Sequence, residues 1–178
     1  AEVSAPEKTN DEFTFSIYVD RTAVGDAIPS VPELEEVAKS APLGRAVFFS
    51  SRVGCSKCHA IAGYGGEIGP DLTHVGRKHS FAALREDILM PHKAIATGFE
   101  TMSVLTGEGK VISGLQVSAG DPVVLKDVNG VVHAVKRDDI DEIVSSPVSL
   151  MPELGKLLTA GELASLIAFL QETAAAAE

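Results

Sequence analysis

The chain has 178 residues, 45 % of them apolar, which suits one domain with an added element or one and a half small domains. Its net charge of −10 argues against nucleic-acid binding, which requires a basic face. The apolar runs are too short to span a membrane, and no signal peptide is visible. An acidic surface favours solubility and steers basic partners toward it.

Residues 1–10 are polar and lack a period, so they read as a loose tail. Phe13, Phe15, Ile17 and Val19 alternate with polar residues or Tyr18, which predicts a strand over residues 12–19. A short helical stretch is expected near Pro32–Lys39. Pro42 then suits a first helical turn, and Leu43, Ala46, Val47 and Phe48 or Phe49 predict an amphipathic helix over residues 43–53. Residues 60–79 are rich in glycine and read as a loop. Ser80 caps a helix over 80–90, whose apolar residues are Phe81, Leu84, Ile88 and Leu89 and whose stop is Pro91.

Residues 101–136 read as strands punctuated by turns at Gly107-Glu108-Gly109 and at Asn129-Gly130. The second has the signature of a type I′ hairpin. Residues 137–146 suit one helical turn or a further strand. The last helix, 160–172, has the plainest pattern. Thr159 and Glu162 form a capping box, and Leu163, Leu166, Ile167 and Leu170 make one apolar stripe.

The chemistry centres on Cys55-Ser56-Lys57-Cys58-His59, which contains the chain's two cysteines. Thiols at this spacing can add across the two vinyl groups of haem, and the next residue places an imidazole under the iron. Two other readings compete. A zinc half-site would need a second pair of ligands, and there is no second cysteine pair. A redox dithiol of the thioredoxin type would sit in a βαβ pattern, and none surrounds it.

Downstream, Gly69-Pro70-Asp71-Leu72 can offer the Pro70 carbonyl to the second ring nitrogen of His59, the usual way such a ligand is held. The bland alternative is a plain turn. Met151-Pro152 lies in a proline-punctuated loop before the last helix, where a thioether can reach the open face of the haem as sixth ligand and raise its potential. The alternative is a core methionine.

In order and in partners, residues 42–172 resemble class I c-type cytochromes. The matching features are a first helix with Gly44 and Phe48, Cys55–His59, Gly69-Pro70-Asp71-Leu72, Gly76-Arg77-Lys78, Met151-Pro152, and Leu158-Thr159 leading to Leu166–Leu170. The β-rich stretch before Ser149-Leu150-Met151-Pro152 further resembles the planctomycete-type haem-binding domains, which often lie at the C-terminal end of larger secreted proteins.

The resemblance implies a mainly α class I cytochrome c fold with a small antiparallel β insertion at about 101–144. The cytochrome domain would be 42–178. Residues 1–41 lie outside the resemblance and read as an N-terminal extension, whose strand is expected to join the insertion because a lone strand needs a partner. It also implies that the first and last helices cross, with Gly44 and Phe169 as partners. Arg77 would pair with a haem propionate, the alternative being a solvated loop arginine.

The expected cofactor is one covalently bound haem c with His59 and Met151 as axial ligands. The expected function is single-electron transfer, without enzymatic activity, in the periplasm or outside the cell. The expected partners are redox proteins that dock transiently, some through a basic surface.

Two other functions stay open: a haem enzyme or gas or peroxide sensor with an open sixth site, and the electron-transfer module of a larger dehydrogenase. His74, His79 and, ahead of them, His92 are alternative sixth ligands. Met90 and Met102 read as core residues and His133 as a sheet residue. Asp138, Asp139, Asp141 and Glu142 read as a solvated acidic turn, since no calcium-loop spacing is present.

Overall fold

A computed structural model of the chain describes residues 29–38 and 43–173. The expected strand at 12–19 and the tail at 1–10 lie outside the described residues.

Six helices and two sheets make up this part of the chain. They are α1 (Val31–Ala38), α2 (Gly44–Phe49), α3 (Cys55–Cys58), the hairpin β1 (Ala60–Ile61) and β2 (Tyr64–Gly65), α4 (Val75–Lys78), α5 (Phe81–Leu89), strands β3 (Thr101–Thr106), β4 (Val111–Ser118), β5 (Val123–Lys126), β6 (Val132–Val135) and β7 (Ile140–Ser146), and α6 (Ala160–Glu172). Among the described residues no helix is long and apolar enough to cross a membrane.

The mainly α class I cytochrome c fold expected from sequence is not the architecture found. Strands β3 to β7 form a five-stranded antiparallel sheet in the order β6-β5-β4-β3-β7. That sheet has a core of its own, built from Val104, Ile112, Val123, Leu125 and Val135, separate from the helical core. The helices are also short, for a local reason at α2. Ser50 accepts the Val53 N–H and donates to the Val47 carbonyl, so its hydroxyl ends the helix at Phe49 rather than at residue 53.

The helical core is organised on α6. Its capping box is present, with the Thr159 N–H donating to Glu162 at 3.0 Å and the Glu162 N–H donating to Thr159 Oγ1 at 3.2 Å. Leu163, Leu166, Ile167 and Leu170 face Leu34 of α1, Val47 and Phe48 of α2, and Phe81, Leu84 and Ile88 of α5 in one cluster. Gly44 lets α2 lie directly on α6. A Cβ there would fall 2.0 Å from the Ser165 carbonyl oxygen and 2.5 Å from Phe169 Cβ. Phe48 packs beside Phe169 with ring centroids 6.0 Å apart. Gly76 gives α4 the same backbone-close approach to Gln171. Helix α5 begins as expected, with the Ser80 hydroxyl accepting from Ala83 N–H.

The Asn129-Gly130 turn differs in type from the expectation. Gly130 has φ +79° and Asn129 does not adopt positive φ, so the turn is not type I′, which needs both. Asp127 dictates the alternative: its carbonyl accepts Gly130 N–H and its carboxylate accepts Asn129 and Val131 N–H. Residues 137–146 satisfy both expectations in turn, a 3₁₀ turn at Arg137–Asp139 and then β7. Because β7 returns beside β3, with Thr101 opposite Ser146, the chain leaves and rejoins the helical part at one place.

Candidate functional site

Cys55 and Cys58 occupy a single helical turn that opens after Gly54, in the left-handed conformation with φ +78°. His59 then leaves the helix in extended conformation. The following loop folds back along this turn. Gly66 N–H bonds Ser56 C=O, and Ile68 and Gly69 N–H both bond Cys58 C=O. Gly69 lies flat on the imidazole, where a Cβ would come within 2.4 Å of His59 Cε1. A side chain at residue 69 would push the ring away.

The His59 ring is oriented as the sequence predicted. Its Nδ1 lies 2.9 Å from the Pro70 carbonyl oxygen. A carbonyl only accepts, so Nδ1 carries the proton, and in the neutral ring Nε2 keeps a lone pair. Burial lowers the pKa of His59, an effect the Pro70 bond opposes. The neutral, ligand-competent ring is the form this pocket favours.

The two thiols are free of any disulfide. Burial pushes Cys55 up to about 11. It also raises Cys58, against a downward pull from Lys57. A dithiol redox catalyst needs a stabilised thiolate, and here burial holds the thiols protonated. Among the described residues no three His, Cys, Asp or Glu side chains converge as a metal site, so the pair lacks the partners of a structural zinc site. The chemistry of the donor set fits haem c: two thiols one turn apart, then an imidazole held through Nδ1.

Met151 is half-buried and packs on the same helical core as Cys55, Leu72, Val75 and Met90. Its N–H donates to Ser149 Oγ at 3.1 Å. Arg77 is exposed in the last turn of α4. Two of the three alternative histidines have other partners. His79 pairs with Asp87 at 3.0 Å. His133, read as a sheet residue, bonds Asp127 at 2.9 Å. His92 accepts the Ser149 N–H at Nδ1, 3.1 Å away. Sequence reasoning missed that contact, which joins residues 57 apart and leaves no local pattern. It read Gly69 as part of the Gly-Pro loop that offers the Pro70 carbonyl and not as the residue that lies against the ring, although the glycine density of residues 60–79 is the trace of this close approach.

No protein-family model matches the chain, and no curated protein matches it.

Proposed function

We propose that the protein is a monohaem c-type cytochrome that passes single electrons between redox partners outside the cytoplasm. The observation that carries this reading is the His59 ring, fixed through Nδ1 to the Pro70 carbonyl directly after the Cys55–Cys58 turn. Haem, when bound, supplies the iron that alternates between ferric and ferrous.

The chain's own residues do the rest. Cys55 and Cys58 would hold the porphyrin at two points through thioether bonds, each S–H adding across one vinyl group. His59 offers Nε2 as the proximal ligand, and the Pro70 carbonyl raises the basicity of the ring while preventing its rotation. Met151 would supply a thioether ligand, which favours reduced iron and would exclude other ligands. Leu72, Val75 and Met90 pack on the same helical core as Cys55 and Met151 and would lend the group an apolar surrounding. Arg77, exposed on α4, is placed in this reading as the partner of a propionate.

The test is the absorption spectrum of the oxidised protein into the near infrared, beside Met151→Ala, with carbon monoxide then added to the reduced forms. The expected result is a weak methionine-sulfur-to-iron band that the variant loses, with carbon monoxide binding only to the variant. A wild type that lacks the band and takes carbon monoxide readily overturns the electron-carrier reading in favour of an open-site enzyme or sensor.

A further inference from the structure

The segment leading to Met151 has its backbone held from two separate elements. Thr101, the first residue of β3 and only 6 % exposed, donates its hydroxyl to the Val148 carbonyl at 2.7 Å. His92 accepts the Ser149 N–H at 3.1 Å, and Ser149 Oγ accepts the Met151 N–H at 3.1 Å, so the chain of bonds ends on Met151 itself. Thr101 is buried and His92 exposed, and both lie on hydrogen-bonded backbone. His92 sits in the turn after α5, where Lys93 N–H bonds the Met90 carbonyl and the Lys93 ammonium meets Glu86. Thr101 is paired in the sheet with Leu115 on one side and Ser146 on the other. A neutral imidazole that accepts at Nδ1 carries its proton on Nε2. The His92 tautomer that makes this bond therefore has no ring lone pair left for iron.

We propose that His92 is a positioning residue for the sixth ligand. It holds the Ser149–Met151 turn in the geometry that presents the thioether, and Thr101 is the second anchor. The proposal rests on the His59/Met151 ligation argued above. A loop whose backbone is already ordered loses little freedom when its sulfur binds, so the ligated form is favoured over the detached one. Losing one hydrogen bond shifts that balance by roughly five-fold.

The experiment compares haem-loaded wild type, His92→Ala and His92→Asn, whose amide oxygen can accept where Nδ1 did. The readouts are the near-infrared sulfur band, carbon monoxide binding to the reduced protein, the midpoint potential, and a urea melt of each form. In His92→Ala the band weakens, the carbon-monoxide-accessible fraction rises roughly five-fold, and the potential falls, while His92→Asn recovers toward wild type. Thr101→Val moves the same readouts in the same direction and carries the test if His92→Ala does not fold.

Unchanged spectra in His92→Ala, or a melt that shifts while band and gas binding stay put, overturn the positioning role. So does a His92→Asn indistinguishable from His92→Ala. A wild type without the band removes the His59/Met151 reading and this role with it. A wild type with the band, beside an unaltered His92→Ala, removes this role alone.

Discussion

His59, Cys55 and Cys58 are the residues whose titration the fold disturbs and whose titration bound haem would abolish. In the haem-free protein, burial depresses the His59 imidazole below its ordinary value. Between the folded and unfolded pKa the unfolded chain binds the extra proton, so stability rises with pH. It is lost as pH falls from about 6.5, the unfolded imidazole value, through the lower folded one. Cys55 behaves in the opposite sense. Its folded pKa is raised to about 11, so the folded protein keeps a proton that the unfolded chain gives up. That contribution is complete below the unfolded thiol value and is lost as pH rises toward about 11.

Urea melts of the haem-free protein against pH should therefore show stability declining at both ends, with Cys55→Ser weakening the alkaline arm and leaving the part that Cys58 contributes. Haem-loaded protein should lose both arms, because thioethers do not titrate and a ligated Nε2 resists protonation. Melts of the loaded protein that keep the alkaline decline of the thiols would mean that Cys55 is not alkylated.

Among the elements, α6 carries the most. It meets α1, α2, α4 and α5, so a defect at its N-terminus reaches the whole helical core. Thr159 is 8 % exposed and makes both halves of the capping box, and Glu162 also binds Arg52. Thr159→Ala should destabilise the protein by about 1 kcal/mol, read as a lower urea midpoint at unchanged slope. A midpoint equal to wild type would show that burial of Leu163 and Ile167 alone sets where the helix begins.

This cap was legible in the sequence because it lies within four residues, as were the Ser80 cap and the order Cys55, Cys58, His59, Gly69-Pro70. What sequence alone did not yield is non-local. The balance between helix and sheet was misjudged because strands from Thr101 to Ser146 pair across the whole segment and bury Leu125 and Val104 in a core separate from the helices. The Asn129-Gly130 turn was assigned its commonest type because the deciding acceptor is the Asp127 carboxylate two residues earlier. The His92–Ser149 contact had no signal, since a histidine after a helix stop looks the same whether or not a distant loop uses it.

At the scale of the molecule, the sheet and the helices meet at the segment before Met151. The sheet departs at Thr101 and returns at Ser146, beside it, and the Thr101 hydroxyl then holds Val148. The sheet is thus fastened to the chain just ahead of the proposed sixth ligand. It also displays Val111 and Val144 outward, 63 % and 45 % exposed, and Val144 shares β7 with the exposed acidic residues Asp141 and Glu142.

With a net charge of −10 the whole surface carries a field that attracts cations over distances longer than any single contact. Such a field acts on encounter and not on the electron-transfer step, so it belongs to the association rate. Screening shortens its reach to about 8 Å at physiological ionic strength. The second-order rate of electron exchange with a basic redox protein should therefore fall steeply as salt is added. The rate with a small neutral reagent should stay level, because that reagent meets no long-range force. Stopped-flow rates across an ionic-strength series check both arms. A basic partner whose rate does not move with salt would mean that contact is governed by a local apolar patch, and that the acidic surface serves solubility alone.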